Sequence, residues 1–380
     1  MTQPGWNQQS PWQRPEQGQQ PVTWSYGQPS QSQHGQPQHG QPQYPQPPQV
    51  RYGQGQYAPV PQGPTGQPWG PPGGVPVGQP PRRGSAVRWV VGGLLALTVI
   101  AFGALIITNL IGGDSTSYQN EDYAVPPPDL SPPPIPMTKS SAEAKQWTDE
   151  NAFYAQTVPQ PIRCDASRVD DVPNASDSQV QAHLDALTAC LMRTWATPMS
   201  AAGFTAVRPS VTIYGQYVDT GCGELDYINA VYCAADQQVY YSRQLFELVP
   251  EVQDKNSVAV DFVIAHEFGH AIQARTGILY GRAIQQQDAT KSAALQINRR
   301  FEMQADCFSG MFMRSVAQSL ALDAADVTTI KQSLRAVGDP ANKEGDHGQA
   351  DNREFWGLTG FATDRVASCN TYAASADQVR

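Results

Sequence analysis

Cysteine is absent from the first 163 of the 380 residues, lysine from the first 88, and aliphatic side chains are scarce before residue 82. The lack of cysteine excludes disulfides and thiolate metal sites from the amino-terminal part. The lack of aliphatic residues excludes a core there. Nineteen of the 33 prolines fall in residues 1 to 81, interleaved with Gln and Gly in runs such as HGQPQHGQPQYPQPPQ, and burial in such a segment cannot offset its ordering entropy. Residues 1–86 therefore read as a disordered Pro/Gln/Gly-rich tail, with His34 and His39 as solvated spacers. No C-x2-C pair occurs anywhere in the chain, which argues against cysteine-ligated zinc.

Charge is missing altogether from residues 89 to 111, WVVGGLLALTVIAFGALIITNLI. A helix needs about 20 apolar residues to cross a bilayer, so a transmembrane helix is expected over 87–112. The long preceding tail disfavours a cleaved signal peptide, as does an apolar run beyond the usual length of about 7 to 15 residues. Arg82, Arg83 and Arg88 precede the run and Asp114, Glu121 and Asp122 follow it, so the positive-inside bias places the tail in the cytoplasm and the rest outside the cell membrane. The first 88 residues hold five Arg and one Glu, a net of +4 against −9 for the whole chain, which leaves −13 for the remainder. Such an acidic outer part disfavours nucleic acid and anionic lipid as its ligands.

Residues 113–140 contain PPP twice and read as a Pro-rich stalk. In polyproline II geometry Pro126 to Pro136 would hold the following domain about 30 Å clear of the membrane. From 141 to 380 the chain is long enough for one domain with its own core. Helical periodicity is expected at 141–156 and 178–196, and further helices at about 256–276, 286–318, 323–337 and 349–375. Residues 209–218, and the start of 234–245, read as strands rich in β-branched and aromatic residues. The fold class is α+β, a helical majority with a small sheet. All six cysteines lie in this outer part. An even count in an oxidising compartment points to disulfides, although six permit 15 pairings and sequence does not choose among them. The set carried forward is Cys164 with Cys190, Cys222 with Cys233, and Cys307 with Cys369.

Within this domain, residues 263 to 270 read VIAHEFGH. Residues four apart share a helix face, so His266 and His270 can address one metal ion, with Glu267 beside its open position. Downstream, RRFEMQADCFSG places Glu302 and Asp306 four apart in an otherwise apolar helical segment. Glu302 is the candidate third zinc ligand and Asp306 the acceptor for a ligand imidazole N–H. His183 is read as structural. Tyr240 and Tyr241, on an expected edge strand, are candidates for holding an extended peptide by strand addition, against simple packing.

The H-E-x-x-H helix, the E-x-x-x-D of EMQADCFSG and HGQADNREFW at 347 to 356 together resemble the bacterial neutral zinc metallopeptidases, which are membrane-anchored and largely uncharacterised. More distantly the zinc site is similar to that of thermolysin. The resemblance covers about residues 142 to 380 and implies a zincin-like domain holding Zn2+ through His266, His270 and Glu302. Glu267 would serve as general base, and His347, in its HG-x-A-x-x-R-x-x-W setting, would serve as donor to an oxyanion. The implied substrates are peptides or proteins of the bacterial cell envelope. Two alternatives stand beside this reading. One is a non-catalytic envelope binding protein stapled by a structural zinc. The other is a scaffold organised by the tail, whose partner the sequence does not name.

Overall fold

The computed structural model describes residues 117–340 and 345–380. The expected transmembrane helix and tail lie outside the described residues, among which no helix is long and apolar enough to cross a membrane.

The described chain is helical for the most part and carries one small mixed sheet, so it is α+β as expected. Its helices longer than one turn are α1 (Ser141–Asp149), α2 (Asp177–Ala201), α3 (Ser257–Arg275), α4 (Ile278–Gln287), α5 (Lys291–Val316), α6 (Ala324–Ala336) and α7 (Ala350–Phe361). Helix α3 is the centre of the core. It is apolar nearly all round, and of its residues only Val263 and His270 escape full burial, which is how a helix enclosed by neighbours must be built. Asn256 caps its first turn by accepting from the Val258 N–H.

Two close helix crossings organise the site. Helix α5 crosses α3 where Gly269 meets Ala305; a β-carbon on Gly269 would stand 3.1 Å from the Ala305 Cα. Both small residues lie inside the motifs, between His266 and His270 and between Glu302 and Asp306, so the two helices approach most closely where the polar side chains must meet. Helix α7 crosses α5 through Gly310, whose added β-carbon would fall 2.0 Å from the Gly357 carbonyl oxygen, and through Gly360, whose own would fall 1.9 Å from that of Cys307.

The sheet has the order β1 (Val211–Tyr214), β5 (Gln238–Ser242), β4 (Ala230–Cys233), with β1 parallel and β4 antiparallel to β5. Strand β5 is therefore central and buried throughout. This corrects the expectation that Tyr240 and Tyr241 sit on an edge. Tyr241 packs in the core and the Tyr240 hydroxyl donates to Asp236 at 2.7 Å; the edge next to α3 belongs to β4. A separate hairpin, β2 (Val218–Thr220) with β3 (Gly223–Leu225), is fastened to β4 by the Cys222–Cys233 disulfide. The other disulfides join Cys164 to Cys190 and Cys307 to Cys369, so the three pairs are those carried forward above.

Three expected helices are shorter than their periodicity suggested, each because the backbone finds other partners. The first stops before Asn151, whose side chain accepts from the Phe153 N–H and donates to the Trp147 and Thr276 carbonyls. The 286–318 segment divides at Thr290, which caps α5 through the Ala293 N–H. The 349–375 segment leaves the helix after Phe361 because its backbone pairs with 156–158: Val158 N–H donates to Asp364 O and Val366 N–H to Gln156 O.

The Pro-rich stretch is not a free stalk over its described part. Proline carries no N–H, so such a segment offers mainly carbonyls, and the domain supplies donors to them. Arg275 donates to Pro133 and Pro134, Gln237 to Pro133, Arg208 to Pro126 and Gln238 to Asp129. Residues 117–140 form a strap lying on the domain, with Ile135 and Thr138 buried.

Candidate metal centre

His266 and His270 project from the same face of α3, and Glu302 reaches both from α5. The His266 Nε2 and His270 Nε2 atoms lie 3.4 and 3.5 Å from the same carboxylate oxygen, Glu302 Oε2. Ligands held about 2.0–2.1 Å from a tetrahedral zinc stand about 3.3–3.5 Å apart, so this donor set fits that ion.

The outer ring nitrogens decide which atoms are available. His266 Nδ1 is 2.8 Å from Asp306 Oδ1, and His270 Nδ1 is 2.8 Å from Gln273 Oε1. A carboxylate only accepts, and the Gln273 amide nitrogen is itself engaged as donor to the Phe301 carbonyl and to Gln304. Both Nδ1 atoms therefore donate, which directs both Nε2 atoms toward Glu302. The His270 ring is stacked on Phe301 at 4.6 Å, with 12° between planes. Asp306 is in turn held by Arg353 of α7 through two hydrogen bonds of 2.8 and 2.7 Å.

Charge at the site is strongly organised. Burial works against a charged His266, but its hydrogen bonds to Asp306 and Glu302 override this and raise its pKa to about 10. Burial likewise opposes the Glu302 and Asp306 carboxylates. His270 and His266 around the first, and Arg353 beside the second, reverse the effect and hold both below the usual range. The triad is a place that retains positive charge, as a proton or as a cation.

Glu267 points away from the triad's hydrogen bonds and toward the sheet. Its Oε2 accepts the backbone N–H of Tyr232 at 2.7 Å. That N–H is free of the sheet for a geometric reason. Ser242 N–H donates to Asn229 O, so residues 229, 231 and 233 face β5, whereas Ala230 and Tyr232 turn their amides outward. Burial raises the Glu267 pKa, which His270, His266 and the Tyr232 amide offset only in part.

These side chains form the floor of a cleft of about 150 Å³, walled by Asn229 with Ala230 and Val231 of β4, by Phe262 and Val263, and by Ser333 of α6 with Val337 just beyond it. His347 lines the same cleft, from the loop before α7, with Nδ1 2.9 Å from Asp346 Oδ1. Burial opposes its charge, but Asp346 and Glu302 raise its pKa. The structure thus brings His266, Glu267, His270, Glu302, Asp306 and His347 to one cleft. His183 stands apart from it, paired with Asp261.

Sequence reasoning passed over Gln273 and Tyr232, and quoted Arg353 only within the HG-x-A-x-x-R-x-x-W stretch, without a role. Gln273 was discoverable, since it lies one turn from His270 on the same helix. Tyr232 acts through its backbone and leaves no local signal, whereas Arg353 stands in the quoted motif, which does not say which side chain it meets.

A triad that could hold a metal ion, with a further carboxylate beside it in a cleft, is an arrangement found in metallopeptidases. The chain belongs to the family described as "Putative neutral zinc metallopeptidase", whose model matches residues 149–372. It is similar to the uncharacterized protein YpfJ of Escherichia coli (strain K12), 31% identical over an alignment of 197 residues, with 48% of this chain and 68% of that protein covered. It is also similar to the uncharacterized proteins Mb2605 of Mycobacterium bovis and Rv2575 of Mycobacterium tuberculosis, each 30% identical over an alignment of 196 residues, with 46% of this chain and 64% of theirs covered. No solved structure matches the chain.

Proposed function

We propose that the protein is a membrane-anchored zinc peptidase that hydrolyses peptide bonds of proteins or peptides in the cell envelope. The observation that carries this reading is the division of labour among four neighbouring side chains: His266, His270 and Glu302 converge, and Glu267 stands beside them on the cleft without taking part in their contacts. A site that only staples the fold has no use for that fourth group, nor for an opening.

His266 and His270 would hold the ion through Nε2 and Glu302 through its carboxylate. Bound zinc supplies Lewis acidity, toward a scissile carbonyl oxygen and toward water, whose pKa it lowers to about 7. Glu267 is tethered at Oε2 by the Tyr232 amide, so Oε1 is the atom that takes up a proton and returns it to the leaving amine nitrogen. Burial raises its pKa above the ordinary carboxylate value, which favours its taking up a proton. His347, on the cleft wall, would donate to the oxygen that becomes negative in the tetrahedral state. Ala230 and Val231 of β4, with Phe262 and Val263 as an apolar wall, line the side of the cleft along which an extended peptide would lie.

The test compares wild type with Glu267→Gln, zinc content verified in both, on a diverse peptide library and on envelope proteins. The variant is expected to keep its zinc and fold and to lose about 10² to 10⁴-fold in rate. Absence of cleavage by zinc-loaded wild type, with Glu267→Gln still complementing a deletion strain, would transfer the reading to a binding protein with a structural zinc.

A further inference from the structure

The residue that grips the carboxylate behind His266 comes from a part of the chain that supplies none of the metal-binding side chains. Arg353 sits on α7, 3% exposed, and Asp306 is 0% exposed. The guanidinium meets the carboxylate as a fork, with Nε donating to Oδ2 at 2.8 Å and Nη2 to Oδ1 at 2.7 Å. Its Nη1 donates to the Val337 carbonyl, just beyond α6, at 3.0 Å. Asp306 Oδ1 also accepts from His266 Nδ1 at 2.8 Å. One oxygen thus joins the arginine to the imidazole, and the fork leaves the carboxylate plane a single orientation.

We infer that Arg353 is a positioning residue for the metal centre: through Asp306 it fixes the rotation of the His266 ring and so the direction in which Nε2 is presented to Glu302. Resting on the zinc-centre reading above, this adds α7 to the elements that build the centre. The close crossing of α7 on α5 at Gly310, Gly357 and Gly360 gives Arg353 its reach. Asp306 and Cys307 are neighbours on α5, and any side chain at Gly360 would push α7 away from the Cys307 carbonyl. A lysine at 353 would supply charge but not the fork, since an ammonium is a point donor with no preferred plane.

The experiment is a double-variant cycle on the purified full chain. Zinc affinity is read by competition with a chromophoric chelator, and folding is read separately by circular dichroism melts in EDTA. Arg353→Met is expected to weaken zinc binding about 10 to 100-fold, the range for loss of an outer partner of a metal ligand, and Arg353→Lys to fall between it and wild type. In an Asp306→Asn background either substitution should change zinc affinity by less than about twofold, because Arg353 acts only through Asp306. Should Arg353→Met fail to fold with its buried carboxylate unpaired, the Arg353→Lys pair of chains, with and without Asp306→Asn, completes the same cycle. Wild-type zinc affinity in a folded Arg353 variant, or an equal loss in both backgrounds, overturns the assignment and leaves the zinc centre standing. A wild-type chain that takes up no zinc overturns the centre itself and the assignment with it.

Discussion

His183 shows how a single buried residue on another helix steadies the one that carries the metal-binding motif. Its Nδ1 lies 2.7 Å from the Ser167 carbonyl and its Nε2 2.5 Å from Asp261 Oδ1 on α3. Both partners accept, so both ring nitrogens carry hydrogen and the ring is an imidazolium. Burial opposes that charge, but Asp261, by its charge and hydrogen bond, and the Ser167 carbonyl raise the pKa above the ordinary value. A pKa raised on folding contributes stability that is complete below the unfolded value of about 6.5 and disappears as pH rises through the folded one. The melting temperature of metal-free wild type should therefore exceed that of His183→Gln by more at about pH 6 than at about pH 9. An equal gap at both would mean that the ring is neutral and the pair only a hydrogen bond.

Among the elements, the strand β4 has two roles that its sequence does not announce. It closes the sheet on the side of α3, and its outward Tyr232 N–H holds Glu267. Because that N–H takes no part in the pairing with β5, proline at this position removes it without breaking the ladder. Tyr232→Ala and Tyr232→Pro both lose the same buried ring, and only the second loses the amide donor. A hydrogen bond to a charged group contributes about 1.5–3 kcal/mol. With zinc content matched, Tyr232→Pro is expected to fall at least about tenfold below Tyr232→Ala in kcat on a cleavable peptide. Equal rates for the two variants would show that Glu267 does not depend on the strand for its position.

At the scale of the whole molecule, the strap and the disulfides tie distant parts of the domain to one another. Three disulfides use all six cysteines, which is the pattern of an oxidising compartment. The strap, tied down by Arg208, Gln237, Gln238 and Arg275, leads back toward the uncharged run at residues 89 to 111. In the proposed topology, protease added to intact cells degrades the domain and spares the first 88 residues, as followed with antibodies to each end. Loss of the amino-terminal epitope with retention of the domain would reverse the orientation.

The sequence by itself determined what depends on local spacing. The i, i+4 interval sets His266 and His270 on one face of one helix, and the same interval sets Glu302 and Asp306 on another. Apolar residues on every side of the first helix require it to be enclosed, and the preponderance of helical periodicity over short strand-like runs specified the α+β class. Only the tertiary structure decided which segments face each other across the site. That Tyr232 supplies an amide to Glu267 depends on the β4–β5 register; a slip of one residue would turn that N–H into the sheet. That Arg353 reaches Asp306 depends on a helix crossing set by Gly310, Gly357 and Gly360. That the Pro-rich stretch is a strap depends on arginine and glutamine donors far along the chain, and the carboxy-terminal helix ends at Phe361 because residues 156–158 offer its backbone other partners. These pairings join groups tens to hundreds of residues apart, and their energies are realised only once the core has brought them into contact, so no local period in the sequence records them.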